Sequence, residues 1–175
     1  MILFARSLCL SISCRTCLVR LLLAVIAIGS LASMSESPAK AEGPRPFYGN
    51  VVATWDNIFN GLFAPPATFT GTSQVTHMGH TLQQGTLVLG APDENFVAPG
   101  SGFVTMTAAN GDELTFYYEG LLYAATGEGI GTFTFTSGTG RFANATGGGT
   151  FYALIDTSLP ENQPMTVVLD GQIDY

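Results

Sequence analysis

From Phe47 onward, apolar residues recur at every second position and scarcely anywhere at helical spacing. No other feature constrains the fold as tightly. A period of two sends successive side chains to opposite faces of an extended chain, so only a sheet can bury such a pattern. The residues that carry it are Val, Phe, Tyr, Leu and Thr, the types suited to a pleated surface. Eight segments show the pattern: Phe47–Trp55, Ala67–Thr76, Thr81–Gly90, Gly102–Ala109, Glu113–Tyr123, Gly131–Thr136, Thr150–Asp156 and Met165–Asp174. Alternation also assigns faces. Leu114, Phe116, Tyr118 and Leu122 share one with Gly120. Met165, Val167, Leu169 and Ile173 share one with Gly171, while Asp170, Gln172 and Asp174 point the other way. Phe133 and Phe135 form a pair, and Phe151, Ala153 and Ile155 a trio.

Turn chemistry separates these strands. Pro65 and Pro66 cannot donate to a ladder and break the chain before the second strand. Ala91–Glu94 and Ala98–Gly100 bracket a loop, and Ser158–Pro164 forms another. Asn110-Gly111 predicts a two-residue type I′ hairpin, because both residues tolerate positive φ. Trp55–Phe63 is the one stretch suited to a short helical turn. The simplest all-β architecture is an eight-stranded antiparallel closed barrel, filled by side chains or holding one small ligand. The alternative is a β-sandwich.

The first 41 residues have a different character. Arg6, Arg15 and Arg20 make a basic region that precedes an apolar run, Leu21–Ile28, and that run is followed by small residues and an A-x-A site at Ala39–Ala41. That order predicts a secretory signal. The run is far shorter than the roughly 20 apolar residues of a membrane span. The expected organisation is therefore a signal peptide over 1–41, cleaved near Ala41, and a single barrel domain over 42–175, secreted or periplasmic. Cys9, Cys14 and Cys17 all fall in the leader, so the expected mature chain has neither a disulfide nor a thiol nucleophile. It keeps Arg45 and Arg141 against 12 acids, a net charge of −10, with no lysine. Nucleic-acid binding needs basic residues to displace counterions, so that class of partner is excluded. A Schiff-base lysine is excluded by composition.

Residues Ser137–Thr150 read SGTGRFANATGGGT between two alternating segments. The run Gly138-Thr139-Gly140-Arg141-Phe142, followed by Ala145-Thr146-Gly147 and a strand, resembles the dirigent and allene oxide cyclase barrel superfamily. It is closest to exported bacterial members that carry G-T-G-R-F-x-x-A-T-G. Residues 131–136 before it, Ala109–Leu114 and Val75–Gly79 are similar as well. Ser137 stands where dirigent proteins have a first glycine, and Thr146 where they have arginine. The resemblance implies an eight-stranded barrel with an apolar central cavity, assembled as a dimer or trimer. Physically the motif reads as a structural turn: Gly138, Gly140 and Gly147 allow tight backbone paths, Arg141 seeks a carboxylate, and Phe142 caps a barrel end.

Few constellations offer chemistry. Glu119 is the one candidate acid or base, provided its face is the barrel interior, where desolvation would raise its pKa. On the outer face it is an ordinary solvated carboxylate. His77 and His80, spaced H-x-x-H, lack the helix that makes such a pair converge on a metal. Asp156, Asp170 and Asp174 read as a solvated rim. There is no nucleophile elbow and no phosphate loop, so no cofactor or metal is expected. The leading functional reading is an exported barrel that binds a small apolar or aromatic ligand in its cavity. Phe116, Tyr118, Phe133, Phe135 and Phe151 are its expected lining. The alternatives are a cyclase or isomerase of the allene oxide cyclase type, and a structural or envelope protein with a filled barrel.

Overall fold

The computed structural model describes residues 43–63 and 65–175. The expected leader, its cleavage site and its three cysteines lie outside the described residues. Eight strands form: β1 (Arg45–Trp55), β2 (Ala67–Val75), β3 (Gly79–Leu89), β4 (Val97–Ala108), β5 (Glu113–Tyr123), β6 (Glu128–Gly138), β7 (Thr146–Ile155) and β8 (Gln163–Asp174). One short helix, α1 (Asn60–Phe63), follows β1, and a 3₁₀ turn spans Gly140–Phe142. Each strand pairs antiparallel with its sequence neighbours, and β1 closes on β8, so the sheet is the eight-stranded barrel expected from the alternation. The closing ladder is continuous from Arg45↔Ile173 to Trp55↔Gln163. Closure leaves no strand edge open to another chain.

Three strands start three or more residues earlier than the alternation predicts, each where glycine or proline hides the pattern. β4 begins at Val97 rather than Gly102 and so contains Pro99. Pro99 lies one residue beyond the last β3–β4 pair, Leu89↔Gly100, and its carbonyl accepts from Gly90 N–H at 2.7 Å. An amide there would have little left to pair with, so the missing donor is tolerated. β6 begins at Glu128, and β7 begins at Thr146, which places Gly147–Gly149 within the sheet.

The β4–β5 hairpin also departs from expectation. Gly111 has φ +86°, while Asn110 is not among the residues with positive φ. Ala108 and Asp112 pair across a three-residue loop, and Gly111 N–H donates to Ala108 O at 2.9 Å. This is a type I turn followed by a left-handed glycine. Asn110 favours it because its Oδ1 accepts from Asp112 N–H at 3.1 Å, a bond available from the right-handed conformation.

The barrel interior divides into two halves along its axis. In one half, Phe47, Phe116, Phe133 and Phe135 pack edge to face or tilted, with ring centroids from 4.9 to 6.4 Å apart. Phe133 lies opposite Gly149, Gly149 opposite Gly171, and Gly171 opposite Phe47. The glycine pair lets β7 and β8 approach closely: a Cβ at Gly171 would overlap the Gly148 carbonyl oxygen, and one at Gly149 the Asp170 carbonyl. Phe142 and Tyr175 plug this end, ring on ring at 4.9 Å. The other half is less completely filled, and it holds the cavity.

Candidate functional site

The cavity measures about 80 Å³ and lies toward the barrel end where β1, β3, β5 and β7 finish. Trp55, Phe69, Phe116, Tyr118 and Phe151 give it aromatic walls, with Leu87, Ala153 and Val167 between them. Trp55 is held in place by an edge-on contact to Phe69 at 4.6 Å and by Nε1–H donating to Met165 Sδ at 3.0 Å. Phe151 meets Tyr118 edge to face at 5.7 Å. Phe69 lies across Gly85 and Phe151 across Gly131, so each ring occupies space that a side chain on the neighbouring strand would take.

Two loops close this end. Ile58, fully buried, reaches the cavity from the turn before α1. Gln163, at the start of β8 and also fully buried, holds the loops together: its Oε1 accepts from Ile58 N–H at 2.8 Å and its Nε2 donates to Leu159 O at 2.8 Å. A buried amide satisfied on both sides fixes geometry, because losing either partner strands a polar group.

Beyond Trp55, two side chains with polar ends, Tyr118 and Gln83, border the cavity. Tyr118 donates its hydroxyl to Thr86 O at 2.8 Å, and burial pushes its phenol well above the ordinary tyrosine range. That bond falls in a gap of the β3–β4 ladder, between the Gly85↔Val104 and Val88↔Ser101 pairs. There the Thr86 hydroxyl accepts from Phe103 N–H at 3.3 Å, and Gly102 leaves room for the Thr86 carbonyl. The second group is Gln83, whose Nε2 donates to Ser73 Oγ at 2.6 Å; Ser73 in turn bonds Thr81 at 2.5 Å. None of the lining residues is charged. The arrangement is suited to excluding water from an apolar guest and offers it a few fixed polar atoms.

Of the five residues expected to line a site, Phe116, Tyr118 and Phe151 meet at the cavity. Phe133 and Phe135 stand higher on the same face and pack against Phe47 and Phe116 instead. Glu119 is on the outer wall, exposed, 3.4 Å from the Tyr117 hydroxyl. His77 bonds Pro46 O at 2.9 Å through Nε2, and His80 is exposed on β3. Among the described residues no group of three His, Cys, Asp or Glu side chains could hold a metal ion. Asp156 accepts from the Ser158 hydroxyl and amide, which hold its carboxyl below the usual range. It lies at the cavity end, whereas Asp174 pairs with Thr146 at the other. The GTGRF segment lies at the plugged end. Arg141 is 3.7 Å from Asp112, Gly140 has φ +55° and Gly147 φ +112°, Gly138 backs onto the Phe142 carbonyl, and Phe142 is fully buried.

Comparison with known proteins gives one kind of match. The fold is similar to that of the solved pterocarpan synthase dirigent protein GePTS1, with a TM-score of 0.43 and 10% sequence identity, over 78% of this chain and 88% of that one. No family model and no curated protein matches the chain.

Gln83, Trp55, Phe69 and Ile58 are among the site residues that sequence reasoning missed. Gln83 occupies an inward position in the alternation Thr81, Gln83, Gly85, Leu87, Leu89, and a long polar side chain in such a series is the signal that could have found it.

Proposed function

We propose that this protein is an exported barrel that binds one small apolar or aromatic molecule inside its cavity. One observation carries the reading: the same barrel packs one half of its interior with interlocked phenylalanine rings and leaves an apolar cavity in the other. The cavity is well below the roughly 300–1,000 Å³ of sites for drug-sized ligands, so the guest is a compact one. Binding proceeds by burial of apolar surface, with Tyr118, Phe151 and Trp55 supplying flat walls. Export is supported by the leader composition over 1–41.

Native mass spectrometry of the protein purified from its own host tests this reading. The expected result is an adduct of small mass that is lost on gentle activation. A bare protein that stays bare after exposure to mixtures of small lipophilic compounds would overturn it. The barrel would then serve a structural role.

A further inference from the structure

The outer wall of the barrel carries a groove of about 630 Å³ across β3 to β6. That is within the roughly 300–1,000 Å³ of small-molecule sites, which the inner cavity is not. Strand register gives the groove two unlike walls. Ser101, Glu119 and Thr132 stand side by side on β4, β5 and β6 and make a polar row. Pro99 and Leu121, two residues along the same strands, make an apolar one. Two residues of strand separate the rows by about 7 Å. Between them run Gly100, Gly120 and Gly131, paired across the three strands, so the floor is bare backbone. Gly100 and Gly120 also border the cavity from inside, so one layer of backbone divides the two spaces. Tyr117 bounds the groove beyond the polar row. Its ring rests on Phe103 at 5.3 Å, and its hydroxyl donates to the Glu119 carboxylate at 3.4 Å.

Glu119 is the one charged residue of this lining. The only arginines of residues 43–175, Arg45 and Arg141, lie at the plugged end, and there is no lysine. An acidic chain concentrates cations at such a groove and repels anions. We infer that the groove is a second binding site, and that it takes a flat amphipathic cation, an aromatic ring bearing an amidinium or guanidinium group. Two N–H groups on one edge of the cation match the two oxygens of Glu119. The ring then lies on the glycine floor with its other edge against Leu121. This site does not depend on whether the cavity holds a guest.

The test compares benzamidine with benzamide, which have the same shape and differ in charge, by NMR titration of the full chain. Benzamidine should move the amide resonances of Ser101 and Thr132 and bind at least tenfold more tightly than benzamide, the effect of charge-assisted hydrogen bonds. Added salt should reduce the difference. Glu119→Gln keeps the shape of an exposed side chain and should abolish the preference. Leu121→Ala should weaken both compounds by the same factor and leave the preference intact. Equal binding of the two compounds, a preference that survives Glu119→Gln, or Ser101 and Thr132 resonances unmoved at the solubility limit of benzamidine would each overturn the inference. Shifts confined to Phe151 and Val167 would overturn it too, since they would place the compound in the inner cavity.

Discussion

At the scale of single residues, Tyr118 joins the site to the integrity of the wall. Its hydroxyl is the donor to Thr86 O at a point where the β3–β4 ladder has a gap. Tyr118→Phe keeps the ring and removes the donor, leaving a carbonyl oriented toward the interior without a partner. The expected loss is about 1–3 kcal/mol, the cost of an unsatisfied buried acceptor, read from the urea midpoint. If the variant is as stable as the wild type, water or a shifted strand satisfies Thr86 and the latch is not needed. The same residue sets an alkaline limit. Burial raises its phenol above its ordinary value, so between about pH 10 and the folded value the native state holds a proton that the unfolded chain releases. Stability from this group is complete below pH ~10 and falls as pH rises further. A urea midpoint that declines from pH 10 upward in the wild type, and less steeply in Tyr118→Phe, is the expected pattern. Tyr152 is also raised, mainly by donating to Glu128, but at the exposed surface where solvent screens the effect, so it serves as the comparison: Tyr152→Phe should stay closer to the wild-type curve than Tyr118→Phe does. Parallel curves for all three proteins would remove Tyr118 as the cause.

At the scale of elements, the GTGRF turn separates into an anchor and an ornament. Phe142 is fully buried against Tyr175, whereas the Arg141–Asp112 pair is half exposed on the arginine side. Phe142→Ala should cost about 3–5 kcal/mol as a core truncation, and Arg141→Ala less than about 1 kcal/mol as a surface pair. Thermal melts of the two variants check the order; an Arg141→Ala loss as large as that of Phe142→Ala would show that the ion pair organises the turn. Glycines in the strands invite a parallel comparison. A Cβ at Gly171 overlaps backbone of β7, so Gly171→Ala should destabilise by about 1–3 kcal/mol through overpacking. A Cβ at Gly49 meets the Val75 side chain at 3.2 Å, and that methyl can move, so Gly49→Ala should cost distinctly less. Equal losses would mean that close approach of β7 and β8 is not what Gly171 provides. These glycines also mark where the sequence stopped being readable. Strand β5 was legible end to end because Leu114, Phe116, Tyr118 and Leu122 never break step. The starts of β4, β6 and β7 were not, because Pro99, Gly129, Gly131 and Gly147–Gly149 carry no hydropathy signal for alternation to act on. The site was half legible for a related reason. Alternation tells which face of a strand turns inward but not the height along the barrel axis. Phe116 and Phe133 therefore looked equivalent in sequence, although one borders the cavity and the other lies in the packed half.

At the scale of the whole molecule, the two halves of the barrel answer to different demands. The interlocked rings around Phe47 resemble the interior of any well-packed domain. The cavity half forgoes such contacts: an empty space of about 80 Å³ costs on the order of 2 kcal/mol at roughly 24 cal/mol per Å³. Ala153, buried at the cavity wall between Gly129 and Val167, is where one larger aliphatic side chain would recover part of that energy. Ala153→Val should therefore raise stability by about 1 kcal/mol and weaken binding of the cavity's guest at least tenfold, both measurable on one preparation by thermal melt and titration. The two effects belong together only if the space is kept for a ligand. A variant that gains stability and still binds would place the guest elsewhere. A variant that loses stability would mean that the walls already meet their neighbours, so that the barrel is filled along its whole length and the difference between its halves has no functional content.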